Sequence, residues 1–256
     1  MVMRRNAMGV NLRQSILKSF GRYIAIVLII ALGSGIFVGL LMTKSDMVLT
    51  GQEFMAAQNM FDVRLVSTYG WAQEQVEEAK TLPGVVDAEG VLYMDLIANL
   101  DVLEGDNVFR FYALSDSMNV FSLRSGRMPE NAGECLADGY VFDESILGTK
   151  VTLSSRNEAD TLEDVAVRTF TVVGLGGSPI YMDMNRGTTS VGSGVLSAYF
   201  YVPSDAFQAD YFPEIHLTLP ENHAVYSDAY VAYMKQEIDR LEPEAELLGQ
   251  HRFDAI

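Results

Sequence analysis

Residues 23–42 read YIAIVLIIALGSGIFVGLLM, a run of twenty residues without a charged side chain. At a helical rise of about 1.5 Å per residue, this run spans the roughly 30 Å hydrocarbon core of a lipid bilayer. A buried helix of a soluble protein is seldom apolar on all its faces over such a length. The sequence therefore predicts one transmembrane helix over residues 23–42.

The charges that flank this run predict its orientation. Residues 1–22 contain no acidic side chain and five basic ones, namely Arg4, Arg5, Arg13, Lys18 and Arg22. Because segments rich in lysine and arginine remain in the cytoplasm, we predict a cytoplasmic N-terminus and a main domain outside the cell membrane, extracellular or periplasmic. The residues after 42 hold 13 basic and 34 acidic side chains, a formal charge of −21. No nucleic-acid partner is therefore predicted.

A cleaved signal peptide is the main alternative to a retained anchor, because it also begins with basic residues followed by an apolar core. Such cores usually have about 7–15 residues and end at small residues. Here the core is longer, and residues 40–44, LLMTK, offer no cleavage site of that kind. We therefore predict an uncleaved anchor. The single cysteine, Cys135, lies far from this segment, which disfavours a lipoprotein, and we expect it to be an ordinary core residue.

The N-terminal 22 residues have a helical pattern of their own. Apolar side chains recur at helical spacing, while the basic residues Arg13, Lys18 and Arg22 fall mostly elsewhere. This pattern predicts a cytoplasmic amphipathic helix over residues 1–22 that lies on the lipid of the inner leaflet.

The anchor itself carries a face of small residues. Ala31, Gly35 and Gly39 are four residues apart and so share one side of the helix. Small side chains let another transmembrane helix approach closely, so this face is a predicted helix-packing surface.

Beyond the anchor, the pattern predicts a stalk over residues 43–61 and then an α+β domain over residues 62–248. Alternating apolar residues indicate strands, and apolar residues at helical spacing indicate helices. The predicted strands are 62–67, 91–101, 108–114, 150–154, 168–173, 197–202, 214–219 and 245–248, and the predicted helices are 71–80 and 226–241, the second ending before Pro243. Residues 122–138 are predicted to be rich in loops. Two strand–helix–strand units, described as βαβ-like, would pair with each other and flank a β-rich lobe in a mixed-sheet fold.

No motif in the sequence predicts a catalytic, cofactor or metal site, so we do not predict an enzyme. Residues 174–177, GLGG, lack the lysine of a phosphate-binding loop and are interpreted as a turn. The three histidines, His216, His223 and His251, lack the spacing of a zinc site and are expected at the surface, with His216 on the outward phase of its strand. Neither a calcium loop nor the G-x-S-x-G elbow of hydrolases is present.

Three stretches together resemble the N-terminal part of MacB/FtsX-type ABC transporter permeases. They are SFGRYIAIVLIIALGSGIFVGL at 19–40, LRSGRMPENAGECLAD at 123–138, and FTVVGLGGSPIYMDMNRGTTSVGSGVLSAYFYVP at 170–203. In this family a G-R-x-P segment introduces the extracytoplasmic core, and here it corresponds to Gly126, Arg127 and Pro129, with Glu134 following. A T-V-V-G strand, here 171–174, closes the β-rich lobe.

The resemblance implies a MacB-like core domain with porter-like parts at 62–114 and 197–248 and a β-rich lobe at 115–196. It also implies a permease subunit that binds no ATP itself and is driven by a separate ABC ATPase subunit, beside a second permease copy or a homologous permease. Family members have further transmembrane helices, so we expect this chain to be an N-terminal part of such a permease. Residues 249–256 would begin a link to a second transmembrane or coiled region.

Two other classes of function share the predicted topology. One is a signal-anchored extracellular binding or sensory domain without transport activity, and the other is a surface hydrolase whose site has no recognisable motif. Co-purification with an ABC ATPase would distinguish a permease from both.

Overall fold

The computed structural model describes residues 13–15, 18–220 and 223–255. Most of the predicted amphipathic helix, including Arg4 and Arg5, lies outside these residues. The chain divides into two compact units, Met1–Gln52 and Glu53–Ile256.

The apolar run belongs to one long helix, α1, which extends over Phe20–Ala57 and buries none of its side chains in the protein. Among the described residues it is one helix that is long and apolar enough to cross a membrane. Since its exposed residues over 23–42 are nearly all apolar, water is an unfavourable environment for this surface and lipid a favourable one. The predicted helix over 23–42 is confirmed.

Ten strands and three further helices follow α1. They are β1 (Val63–Trp71), α2 (Gln73–Lys80), β2 (Asp87–Val91), β3 (Tyr93–Leu100), β4 (Asn107–Ala113), β5 (Ser122–Gly126), β6 (Glu134–Asp138), β7 (Lys150–Leu153), α3 (Ala159–Glu163), β8 (Thr169–Gly177), β9 (Ala198–Val202), β10 (Phe212–Thr218) and α4 (Asp228–Asp254). Short 3-10 turns occur at Glu144–Ile146 and Ser204–Ala206.

The smaller sheet has three antiparallel strands in the order β1–β10–β2. Because side chains alternate between the two faces of a strand, Ile215 and Leu217 of β10 point to the same face. There they pack with Val76 of α2 and with Leu241 and Leu248 of α4 in one hydrophobic cluster. The pairing of β1 with β10 joins the beginning and the end of the domain, as the sequence pattern predicted.

The larger sheet has seven strands in the order β5–β8–β6–β9–β4–β3–β7, and an additional pairing of β7 with β8 closes six of them into a ring. Parallel pairs, β4 with β9 and β6 with β8, alternate with antiparallel ones, so the sheet is mixed as predicted. Its interior is filled by a large apolar cluster in which the rings of Phe109 and Phe111 lie 5.1 and 5.4 Å from that of Phe200. Cys135 is a fully buried member of this cluster, and burial raises the pKa of its thiol.

A second cluster, rich in tyrosine, covers the outer face of β4 and β9. Tyr112 stacks on Tyr201 with ring centroids 5.1 Å apart, and Tyr181 stacks on Tyr199 at 4.8 Å. Tyr181 belongs to the glycine-rich segment after β8, so this segment is packed onto the sheet and is an ordered loop.

Several predicted elements differ from the structure. Pro243 does not end the last helix, because the continuation to Asp254 buries Leu248 against the smaller sheet, and this burial outweighs the hydrogen bond that proline cannot donate. Residues 245–248 are consequently helical and form no closing strand. Residues 122–138, predicted as loops, contain β5 and β6.

The predicted arrangement of two βαβ-like units also differs from what is seen. β1, α2 and β2 form the first unit, but β10 is followed only by α4 in the described part of the chain. β3, β4 and β9, which the prediction placed in the porter-like parts, pair within the larger sheet. Apolar alternation marks residues as strands, but it does not specify which distant strand they pair with.

Candidate functional site

The C-terminal end of α1 is fixed by a Schellman motif. Asn59 adopts a left-handed conformation with φ of 47°, which asparagine tolerates better than most residues. Its N–H donates to the carbonyl of Ala56 at 3.1 Å, and the N–H of Met60 donates to that of Met55 at 3.0 Å. The helix therefore ends at a defined residue and the chain turns sharply into β1.

The residues at this turn hydrogen-bond to the connection between β4 and β5 of the larger sheet. The N–H groups of Asn119 and Val120, which lie between β4 and β5, donate to the carbonyls of Asn59 and Gln58 at 3.0 and 2.9 Å. The Asn59 side chain donates to the carbonyl of Ser117 at 2.6 Å. These hydrogen bonds hold the end of α1 against the β4–β5 connection.

The same residues also bind the smaller sheet. The N–H of Asp62 donates to the carbonyl of Leu217 at 2.9 Å, and the Asp62 carboxylate accepts the N–H of Leu219 at 2.7 Å. Phe61 stacks on the ring of His216 with centroids 4.0 Å apart. The end of α1 is thus connected to both sheets.

A series of hydrogen-bonded side chains also links the end of α1 to strand β10. The Oδ1 atom of Asn119 accepts the N–H of Phe61 at 3.2 Å, which directs its amide NH2 toward Nδ1 of His216 at 2.9 Å. Since the amide can only donate there, Nδ1 must accept and the imidazole proton resides on Nε2. Nε2 then donates to the carboxylate of Glu214 at 2.9 Å. We call Asn59, Phe61, Asn119, Glu214 and His216 the helix-end junction.

Glu214 carries the negative charge of the junction. Burial opposes its ionisation, but the hydrogen bond from His216 and the charge of Arg64 outweigh it and hold the pKa of Glu214 below its ordinary value. Tyr93 donates to the same carboxylate at 3.1 Å, and burial together with that negative charge raises the pKa of Tyr93 to about 12. The polar side chains of Asn59, Asn119, Glu214 and His216 therefore each have a hydrogen-bond partner within the protein.

The side chains of the junction bind one another and form no recognisable catalytic arrangement. Its histidine and carboxylate are buried and bonded to each other, and no serine, threonine or cysteine nucleophile hydrogen-bonds to that histidine. In the described residues, no group of three His, Cys, Asp or Glu side chains could hold a metal ion.

The structure brings together Arg127 and Glu134 of the family-like motif. Arg127 donates to both carboxylate oxygens of Glu134 at 2.7 and 2.6 Å, and the N–H of Glu130 donates to Glu134 at 2.8 Å. The hydrogen bonds from Arg127, and then from Glu130, lower the pKa of Glu134 to about 2. Pro129 lies in the turn that this ion pair closes between β5 and β6.

Gly126 shows why this motif begins with glycine. Its φ is +82°, and a Cβ atom there would lie 2.3 Å from the carbonyl oxygen of Val173. A Cβ at Gly174 would lie 2.5 Å from the carbonyl of Arg127, and one at Gly176 would lie 2.0 Å from that of Ser122. The GLGG stretch is therefore part of strand β8 in close contact with β5, and its interpretation as a turn was wrong.

The other predicted site residues lie along α1 and before it. Ala31, Gly35 and Gly39 are exposed, and a Cβ at either glycine would meet no atom within 4 Å. No part of the chain that the structure describes covers this face of the helix. Arg13, Lys18 and Arg22 are likewise exposed.

The sequence patterns predicted neither the burial of His216 nor the buried ion pair of Arg186. His216 does lie on the strand face that points away from the helices, but Phe61 and Asn119 cover that face and leave it 1% exposed. Arg186, in the glycine-rich segment, makes a two-point ion pair with the fully buried Asp138, with one N–O distance of 3.0 Å. Arg186 and Asp138 are far apart in the sequence, so no short motif would have predicted that they pair.

No family model matches the sequence, and no curated protein matches it. Among solved structures, the extracellular domain of the noncanonic ABC-type transporter YknZ from Gram-positive bacteria is similar at 14% identity and a TM-score of 0.36, over 66% of this chain and 80% of that chain. The periplasmic region of MacB from Actinobacillus actinomycetemcomitans is similar at 11% identity and a TM-score of 0.36, over 67% and 74%.

A domain of a Porphyromonas gingivalis protein designated a permease is similar at 13% identity and a TM-score of 0.34, over 68% of this chain and 71% of that chain. Identities of 11% to 14% and TM-scores of 0.34 to 0.36 do not by themselves establish a common function.

Proposed function

We propose that the chain belongs to a permease subunit of a MacB/FtsX-type ABC transporter. In this proposal α1 crosses the cell membrane with its N-terminus in the cytoplasm, and the mixed-sheet domain lies outside. A partner ABC ATPase hydrolyses ATP in the cytoplasm, and α1 passes the resulting movement to the outer domain. The chain itself performs no catalysis.

The observation that carries this proposal is the continuity of α1 with the helix-end junction. One unbroken helix runs from the apolar segment to Ala57, and the next residues hydrogen-bond to β10 of the smaller sheet and to the β4–β5 connection of the larger sheet. A flexible linker would decouple an outer domain from its anchor, because a disordered segment absorbs displacement. A continuous helix whose end is hydrogen-bonded to the outer domain supports transmission of movement instead.

The proposed partners follow from surfaces that the chain leaves open. The exposed residues Arg13, Lys18 and Arg22 would face the ATPase and the anionic inner leaflet, whose negative potential attracts basic segments. The face formed by Ala31, Gly35 and Gly39 would pack against helices of the permease or of a second permease copy.

Purification of the full chain from its native membranes in a mild detergent tests the proposal. We expect an ABC ATPase to co-purify in stoichiometric amount. Replacing Arg13, Lys18 and Arg22 together by glutamine is expected to reduce the ATPase at least fivefold while the chain remains in the membrane. The matched control is Glu163→Gln, an exposed substitution in α3 that should leave the ATPase bound. Recovery of the intact chain with no ATPase would contradict the proposal.

A further inference from the structure

A cavity of about 180 Å³ lies where the two sheets meet, beside the helix-end junction. Val91 of β2 and Phe212 of β10 line one side, and Tyr112 of β4 and Tyr201 of β9 line the other. Met118, which is 1% exposed, adds its side chain from the β4–β5 connection. The walls are therefore mainly aromatic and aliphatic.

The hydroxyl groups of the two tyrosines already have partners in the protein. Tyr112 shares a hydrogen bond with Tyr181 at 3.1 Å, and Tyr201 shares one with Ser178 at 2.8 Å. Burial raises the pKa of both Tyr112 and Tyr201, so they are uncharged. Their rings stack on each other, and both residues line the cavity with uncharged side chains.

The polar groups at the edge of the cavity are also occupied. Asn119 bonds to Phe61 and His216 within the helix-end junction, and the Glu89 carboxylate accepts the hydroxyl of Ser117 at 2.8 Å. Among the residues that the structure describes, no lysine, arginine or histidine lines the cavity, so an anionic ligand would find no counter-charge from them. A bound water molecule needs two to four polar partners, and few polar groups without a partner remain in the cavity lining.

Size and lining together indicate one class of ligand. An apolar cavity of about 150 Å³ in another protein is large enough for a benzene ring. We propose that this cavity binds an uncharged aromatic ring of benzene to indole size, in contact with the side chains of Tyr112, Tyr201 and Phe212 that line it. The ligand is a small molecule or the ring of a larger one, and the site does not depend on the proposed transport function.

Methionine methyl signals provide a direct readout, because Met118 contacts the cavity. The full chain, labelled with [methyl-13C]methionine and reconstituted in lipid nanodiscs, is titrated with toluene and followed by NMR, with the Met118 signal assigned by Met118→Leu. We expect that signal to shift saturably. Val91→Phe places a ring in the cavity, since Val91 packs against the tyrosine cluster, and should reduce the shift at least fivefold.

Val86→Phe is the matched control, because Val86 is 65% exposed and lies outside the cavity lining. It should bind toluene like the unmodified chain. If Val91→Phe does not fold, Ser204→Trp at the exposed rim replaces it, with the neighbouring Asp205→Trp as its control. A Met118 signal that toluene does not move, or that moves equally in the blocked variants, would overturn the proposal.

Discussion

At the residue scale, the junction depends on a histidine whose two ring nitrogens have different roles. Nδ1 accepts from Asn119 and Nε2 donates to Glu214, at 2.9 Å in each case. Neither asparagine nor glutamate can be buried alone at low cost, since an unsatisfied buried polar group costs about 1–3 kcal/mol. Through its two hydrogen bonds, His216 satisfies the buried polar groups of Asn119 and Glu214 as well as its own ring nitrogens.

We predict that His216→Ala lowers the free energy of unfolding of the outer domain by about 2–4 kcal/mol, because it leaves Asn119 and Glu214 buried without that partner. Urea denaturation of the full chain in detergent, followed by tryptophan fluorescence, measures the change. His223→Ala is the matched control at an exposed histidine and should stay within about 0.5 kcal/mol. Equal effects of the two substitutions would show that the junction is not stabilising.

The ion pair of Arg127 and Glu134 gives a prediction in the acid range. The pKa of Glu134 is depressed to about 2 from 4.5, so its stabilisation is present above pH 4.5 and is lost as pH falls toward 2. Arg127→Gln should raise the pKa of Glu134 toward 4.5 and remove this part of the acid sensitivity. Carboxyl NMR titration checks the value. Glu130→Gln is the control, because Glu130 acts on Glu134 through its backbone N–H.

At the element scale, the decisive feature is where α1 ends. The helix continues beyond the apolar run to Ala57, and its Schellman motif sets the direction of the chain into β1. Asparagine at the left-handed position also supplies the side-chain hydrogen bond to Ser117. Asn59 therefore contributes both to the end of the helix and to its attachment.

Two substitutions at Asn59 separate these contributions. Asn59→Gly keeps the left-handed conformation and loses only the bond to Ser117, whereas Asn59→Ala loses the bond and adds backbone strain. We expect alanine to be less stable than glycine by about 1 kcal/mol. Thermal unfolding of the two variants in the same nanodiscs measures the difference. An alanine variant as stable as the glycine one would show that the helix ends differently.

At the scale of the whole molecule, sequence patterns predicted what is local and missed what depends on distant contacts. The apolar run, the strand at 108–114 and the helix at 71–80 are each visible within a short window. Three other features depend on residues far apart in the chain. They are the closure of the larger sheet by the pairing of β7 with β8, the continuation of helix α4 beyond Pro243, and the burial of His216. Of the candidate site, the ion pair of Arg127 and Glu134 fell within a recognisable motif, while the junction did not.

The proposed orientation of the molecule can be measured by cysteine labelling. Cys135 is fully buried, so the unmodified chain should not react with a membrane-impermeant maleimide. Glu104→Cys, in the exposed β3–β4 connection, should be labelled in intact cells. Gln14→Cys, on the N-terminal side of α1, is the matched control and should react only after the membrane is permeabilised. The reverse pattern would contradict a cytoplasmic N-terminus.

Amide hydrogen exchange of the full chain in nanodiscs tests most directly whether the end of α1 is firmly attached to the β4–β5 connection and to β10. Asn119 and Val120 lie outside every strand, yet their N–H groups donate to Asn59 and Gln58. The account predicts that these two amides exchange as slowly as those of β10, and at least tenfold faster in His216→Ala. Exchange as fast as in the exposed 101–106 connection would contradict it.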